Sequence, residues 1–327
     1  MSNDSILARL QEPIQDDLQR FRSRYRETLE SGIFVIDRVV SYLMRTHGKG
    51  LRPVLTLLSA KLGNEEISDD TIRAAVIVEL LHEATLVHDD VVDEAETRRN
   101  WPSLPARFRN KVSVLFGDYM LANVLASTLE ARDLRWLDIL SETARRMAKG
   151  ELVQAARSKR VDMTEVDYLA MIGDKTAALF NACCRMGALT GGLDDEQVNN
   201  LGRYGEHLGV AFQIKDDLLD LFGGDGIGKP VGGDLKERKL TLPLLAILNS
   251  MDKREARRIR AKIKRGIRKR EISDIARLVR EKGGEEYASN VMYIEAEKSR
   301  NALNSLPPSK VKDLLNELVD FAIRRGK

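Results

Sequence analysis

Leu80-Leu81-His82-Glu83-Ala84-Thr85-Leu86-Val87-His88-Asp89-Asp90-Val91-Val92-Asp93 reads as an aliphatic helix that runs straight into a cluster of acid. Apolar residues three and four apart indicate a helix rather than a strand. On that helix Asp89 and Asp93 lie one turn apart on the same face, with Asp90 beside them. A second copy of the spacing, Asp216-Asp217-Leu218-Leu219-Asp220, follows Val210-Ala211-Phe212. Like charges at i and i+4 destabilise a helix by a few tenths of a kcal/mol, so each cluster needs solvent or a bound cation. The chain has 26 Asp among 327 residues, so this five-residue pattern should arise by chance on the order of 0.2 times. A solvated helix face explains one copy as well as a site does. Two copies, each attached to a helix that reads as deeply buried, favour a site.

The same periodicity extends almost everywhere outward from these stretches, and the eight prolines fall mostly between periodic segments. The pattern predicts an all-α chain, with helices near 5–30, 33–46, 52–62, 69–96, 111–131, 134–158, 165–190, 195–222, 240–250, 253–268, 272–283, 285–304 and 308–324. No linker separates two units and no repeat of solenoid period occurs, so a single domain over 1–327 is expected. Gly223 to Gly233 is glycine-rich and reads as a functional loop. With 53 basic against 50 acidic residues, net charge gives no reason to expect nucleic acid as a partner. Cys183 and Cys184 are adjacent, which suits neither an ordinary disulfide nor zinc. The polar start, and the lack of any run approaching the roughly 20 apolar residues of a membrane span, lead us to expect a cytoplasmic protein.

Asp89, Asp90, Asp93, Asp216, Asp217 and Asp220 form an all-oxygen ligand set, which favours Mg²⁺, with Mn²⁺ as the other possibility. Magnesium usually binds one or two carboxylates plus substrate phosphates, so two facing clusters imply a diphosphate held between them. Cations near the clusters fit that ligand: Arg98 and Arg99 after the first, Lys229 and Lys239 after the second, and Lys49 and Arg52 at the mouth of a helix. His82 lies two turns before Asp89, and Gln213 shares a face with Asp216. Taken singly, each of these basic pairs is a weak signal and more often reads as solvated surface.

These motifs resemble the trans-isoprenyl diphosphate synthases, the polyprenyl synthetase family, and in particular its long-chain members. The resemblance rests on Gly48-Lys49-Gly50-Leu51-Arg52-Pro53, His82 through Asp93 with Arg98-Arg99, Gly117-Asp118, Gly150-Glu151-Leu152, Lys175-Thr176, Gly209 through Asp220, Gly228 through Asp234, and Lys239 through Pro243. It implies a single helical bundle around a deep central cavity, commonly a homodimer, that condenses an allylic diphosphate head-to-tail with isopentenyl diphosphate. By resemblance the six aspartates hold Mg²⁺, with Asp89 and Asp93 foremost in the first cluster. Arg98, Lys175, Thr176, Gln213, Lys229 and Lys239 would hold the allylic diphosphate, and Lys49, Arg52, His82 and Arg99 the isopentenyl diphosphate. Asp89, Asp93, Asp216, Lys175 and Lys229 are the residues expected to matter most for catalysis. Asn100 stands where the family usually has glycine, and asparagine is among the residues that best tolerate left-handed geometry.

Product length should depend on what blocks the cavity below the first cluster. Thr85, Leu81 and Val78 descend from Asp89 by about 6, 12 and 16 Å along the helix, and Ala84 occupies the place where short-chain relatives often carry an aromatic plug. No aromatic side chain occurs between Ile67 and His88, or in Leu121 to Glu130, so a long product of about six or more isoprene units is expected. A geranylgeranyl or farnesyl diphosphate synthase is the alternative. A terpene cyclase would share the first acidic motif but not an all-aspartate second one, a head-to-head synthase would carry different acidic motifs, and a non-catalytic partner subunit would have lost part of the clusters. The basic run Lys253 to Arg270, with Ile259, Ile263 and Ile267 in one stripe, reads as a solvated helix, or else as a weak peripheral contact with anionic membrane.

Overall fold

Both acid-bearing segments begin at well-formed helix starts. Ser68 accepts a hydrogen bond from the Thr71 amide and opens the helix Asp69–Val92, and Asp194 makes a capping box with Gln197 to open Asp195–Phe222. The computed structural model describes residues 3–46, 48, 50–98, 100–223 and 232–325. The helices are α1 Asn3–Gln11, α2 Gln15–Leu29, α3 Phe34–Thr46, α4 Leu51–Lys61, α5 Asp69–Val92, α6 Leu104–Phe108, α7 Asn110–Glu130, α8 Leu134–Arg160, α9 Glu165–Ile172, α10 Ala178–Thr190, α11 Asp195–Phe222, α12 Gly233–Lys236, α13 Leu242–Ser250, α14 Lys253–Lys264, α15 Lys269–Glu281, α16 Gly284–Ala302 and α17 Lys310–Arg324. The strands among the described residues are β1 Thr97–Arg98 and β2 Trp101–Pro102, a two-stranded antiparallel hairpin.

The acid-bearing helices are the two central ones. Helix α5 packs against α4, α7 and α10, while α11 packs against α10 and α16, so α10 lies along both. One connected apolar core runs from Leu10 to Ile323. Leu80 on α5 and Leu208 on α11 are fully enclosed within it. Truncating such a residue to alanine typically costs about 2–5 kcal/mol. Gly117 on α7 faces His88 so closely that a β-carbon would collide with the imidazole. That contact fixes the antiparallel register of α5 and α7, and the Arg73–Glu130 ion pair at 3.9 Å continues it at the other end.

Three expectations need correction, and the isoleucine stripe, whose covering was left open, takes a place in the core. The helix expected over 69–96 stops at Val92, because the chain turns into the hairpin, where Asn100 takes the left-handed conformation with φ +66°. The helix expected over 165–190 is interrupted by a π-turn, Gly173–Ala177. The isoleucine stripe of the basic run points inward: Ile259 and Ile263 are buried and Ile267 is partly buried, leaving a charged outer face on α14. Helix α7 is long and apolar enough to cross a bilayer, although no such segment was expected. It lies against α5 along one side and leaves Leu115, Leu125 and Leu129 exposed on the other.

Candidate active site

Both aspartate clusters end their helices, where the carbonyl end of the macrodipole adds to the negative charge and favours cations. A pocket of about 120 Å³ lies beside the second cluster, lined by Asp217 of that cluster and by Lys175, Thr176, Gln213, Asp234 and Lys239 among others. Lys175 joins the first cluster to this pocket, with Nζ 4.0 Å from Asp89 Oδ2 and ion-paired with Glu151 on α8. Lys239 joins them a second time. Burial opposes its charge, but Glu237, Asp234 and Asp93 together hold its ammonium above the usual lysine range.

Within each cluster the middle aspartate is buried and committed to protein partners. Asp90 is 3% exposed and receives the Arg98 guanidinium through Nε at 2.7 Å and Nη2 at 2.6 Å. It lines a small recess with Tyr42, Thr46 and Leu104, away from Lys175. Asp217 is 5% exposed; its Oδ2 accepts from the Tyr168 hydroxyl at 2.6 Å and its Oδ1 from Gln213 Nε2 at 2.9 Å. Thr176 donates in turn to Gln213 Oε1 at 2.8 Å. Burial holds the Tyr168 phenol well above its usual range, so it stays a neutral donor.

The outer aspartates are more open. Asp93 is exposed and closes α5, and Asp89 is partly exposed. Asp216 pairs with Arg325 at 2.9 Å, and Arg325 also stacks on Phe212 at 3.5 Å. Asp220 accepts the backbone N–H groups of Gly233 and Asp234, each at 3.1 Å, which anchors the return of the chain into α12. Burial pushes Asp89 up to about 6; Lys175 counters this, while Glu151 and Asp93 add to it. Asp234 is pushed up to about 7, by burial first and by Asp220 next.

The residues therefore fit a divalent cation. The donors are all carboxylate oxygens, the set that magnesium prefers. Among the described residues no three acidic or imidazole groups converge into a closed cage.

Arg52 and His82 are not among the residues that line this pocket. Arg52 stacks on Phe180 at 5.6 Å, Phe180 meets Phe212 at 5.3 Å, and Phe212 carries Arg325, so a pair of rings links two guanidiniums to the second cluster. His82 is buried in α5 at 8% exposure. Lys49, Arg99 and Lys229 lie outside the described residues. The chain-length positions differ from expectation. Ala84 and Val78 have no exposed surface and Leu81 has 3%, so no water-sized space opens beside them. Thr85 alone of the four is partly open, and its hydroxyl donates to the His82 carbonyl at 2.7 Å.

Sequence reasoning assigned no role to Tyr168, Glu151, Asp234 or Arg325. Glu151 and Asp234 stand inside quoted motifs, so their position was the available signal. Tyr168 lies seven residues before Lys175, a spacing of two turns that could have placed it on the same side.

The chain is similar along nearly its whole length to octaprenyl diphosphate synthase of Escherichia coli K12, at 33% identity over 98% of this chain and 99% of that protein. It is 31% identical to heptaprenyl diphosphate synthase component 2 of Geobacillus stearothermophilus, over 95% and 97% of the two chains. A crystal structure of polyprenyl synthase from Caulobacter crescentus CB15, complexed with calcium and isoprenyl diphosphate, superposes with a TM-score of 0.91 at 32% identity and covers 98% of each chain. The Polyprenyl synthetase family model matches residues 34–281. With the helical bundle, the paired acid clusters and these likenesses in agreement, the chain belongs to the polyprenyl synthetase family.

Proposed function

We propose that the protein is a trans-prenyltransferase that joins an allylic diphosphate head-to-tail to isopentenyl diphosphate, and repeats the step to build a long polyprenyl diphosphate. The observation that carries this reading is that Lys175, 4.0 Å from Asp89, and Lys239, whose charge Asp93 favours, line a single pocket with Asp217 of the second cluster. Mg²⁺, held by Asp89 and Asp93 on one side and Asp216 on the other, would neutralise the allylic diphosphate and make it a better leaving group.

The chain's own residues supply the rest. Lys175, Lys239 and the Thr176–Gln213 pair grip the leaving diphosphate. As its bond to C1 breaks, these fixed charges stabilise the departing oxygens. Arg52 and His82 hold the isopentenyl diphosphate so that its double bond faces C1, and alignment supplies a further part of the acceleration. A proton then leaves the new chain, and the departing diphosphate is the acceptor we assign. Asp90 and Asp217 act as struts: one holds Arg98, the other ties Tyr168 to Gln213.

The assay is direct. Pure protein, isopentenyl diphosphate, Mg²⁺ and each allylic primer should give products of about six or more isoprene units. Products that stop at three or four units would favour a farnesyl or geranylgeranyl synthase, and no condensation would overturn the reading.

We propose a homodimer built on the uncovered apolar side of α7 and the start of α8, where Leu125, Leu129 and Leu134 are 58, 68 and 77% exposed. Light scattering should give twice the chain mass, and Leu125→Glu with Leu129→Glu should halve it. We place the enzyme in the cytoplasm, where the buried free thiols of Cys183 and Cys184 suit a reducing medium. The exposed cations of α14 would give weak, salt-sensitive contact with anionic lipid, measurable by vesicle sedimentation.

A further inference from the structure

Lys175 and Thr176 are presented by the π-turn Gly173–Ala177, an uncommon piece of backbone that needs a local cause. Two helices grip it through bare backbone. A β-carbon on Gly150 of α8 would stand 2.6 Å from the Lys175 nitrogen, and one on Gly209 of α11 would stand 2.6 Å from the Ala177 Cα. Such a grip holds the turn tightly, but it has no side chain at the point of contact to fix how the turn is rotated.

Arg146 supplies that missing restraint. It sits on α8 one turn before Gly150, and its side chain is 25% exposed. Nε donates to Asp174 Oδ1 at 3.0 Å and Nη2 to the Gly173 carbonyl at 3.0 Å. Nη2 also reaches Glu206 Oε1 at 2.5 Å, and Nη1 reaches Glu206 Oε2 at 3.1 Å, three residues before Gly209 on α11. The Gly173 carbonyl also accepts the bond from the Ala178 N–H that closes the π-turn. One planar guanidinium thus ties the first carbonyl and first side chain of the turn to the helix on its far side. A lysine has no such fork. Arg146 is not on the pocket wall, so any effect it has on the reaction must pass through the turn.

We propose that Arg146 is a positioning residue for prenyl transfer: it locks the π-turn in the rotation that points Lys175 and Thr176 at the allylic diphosphate. The proposal rests on the reading of those two residues as diphosphate-holding groups. Lys149 provides the control, because it also pairs with Asp174, at 2.8 Å, but is 68% exposed and reaches neither Glu206 nor Gly173.

The test is steady-state kinetics with each substrate varied separately, below the unfolding temperature of every variant. Arg146→Met should raise KM for the allylic diphosphate at least tenfold and leave KM for isopentenyl diphosphate within twofold. Arg146→Lys should fall between that variant and the parent, and Lys149→Met should stay within twofold of the parent. In a Lys175→Ala, Thr176→Val background, Arg146→Met should add less than a further twofold. If Arg146→Met does not fold, Glu206→Gln tests the same clamp, since it weakens the far anchor and leaves Asp174 in place. Equal shifts in both KM values, no shift in either, or an undiminished effect in the double-variant background would overturn the proposal. Failure of the parent to elongate any primer would instead overturn the functional reading, and the clamp with it.

Discussion

The same five-letter pattern, written once in α5 and once in α11, is used in two different ways. In both copies the middle aspartate is buried and spoken for, by Arg98 at the first and by Tyr168 with Gln213 at the second. The outer positions differ. Among the described residues Asp89 and Asp93 have no ion-pair partner closer than the Lys175 ammonium, 4.0 Å from Asp89, whereas Asp216 is covered by Arg325 and Asp220 holds the backbone of the next turn. The first cluster therefore keeps both outer carboxylates open. In the proposed mechanism the second is a scaffold with one ligand, which Arg325 must yield before a metal can use it. Identical spacing does not mean identical work, because neighbouring elements decide which oxygens remain available.

The sharpest way to break this contrast is to remove the open ligands. Asp89→Ala and Asp216→Ala should each lower turnover by about 10²–10³-fold at saturating Mg²⁺, the scale expected when one preorganised electrostatic contact to a leaving group is lost. Near-normal turnover in either variant would contradict the mechanism. The middle aspartates should matter less. Asp90→Asn and Asp217→Asn should cost about 10–100-fold, as partners that orient a metal site typically do, and a steady-state Mg²⁺ titration separates the two classes by its midpoint.

Product length sharpens the comparison at the base of the first cluster. Thr85→Phe, at the partly open position, should shorten the products seen by chromatography. Ala84→Tyr, at a site with no free space, should instead lower stability by roughly 1–3 kcal/mol through overpacking. Shortening by Ala84→Tyr in a stable protein would show that a channel opens there.

The smallest expected effect is a pH dependence. Asp89 and Asp234 titrate in the folded protein at about 6 and about 7, above the unfolded value of 3.8. Their contribution to the metal-free fold is complete below about pH 4 and is lost as pH rises through 6 to 7. Mg²⁺ should therefore raise the unfolding midpoint more at pH 8 than at pH 5, and Asp89→Asn should reduce that difference.

Much of this was legible in the sequence because the long helices carry their own signals. Ser68 and Asp194 announce the starts of α5 and α11, and the aliphatic spacing carries each helix to its acid cluster. The π-turn was not legible, because Gly173-Asp174-Lys175-Thr176-Ala177 has ordinary helical composition. Its cause lies in Gly150, Gly209 and Arg146, which come from other helices. Division of labour inside the clusters was hidden for the same reason, since Asp90 meets Arg98 from the hairpin that follows α5 and Asp217 meets Tyr168 from 49 residues away. The inward turn of Ile259 and Ile263 was left open because an amphipathic stripe shows that a helix has an apolar side without showing what covers it.

A crystal of the enzyme grown with Mn²⁺ and inorganic diphosphate, with the ions located by anomalous scattering, tests the shared site most directly. The account predicts Mn²⁺ ions on a single diphosphate, bound by Asp89 and Asp93 from one side and by Asp216, freed from Arg325, from the other. Ions confined to one cluster, or two clusters each binding its own anion, would contradict it.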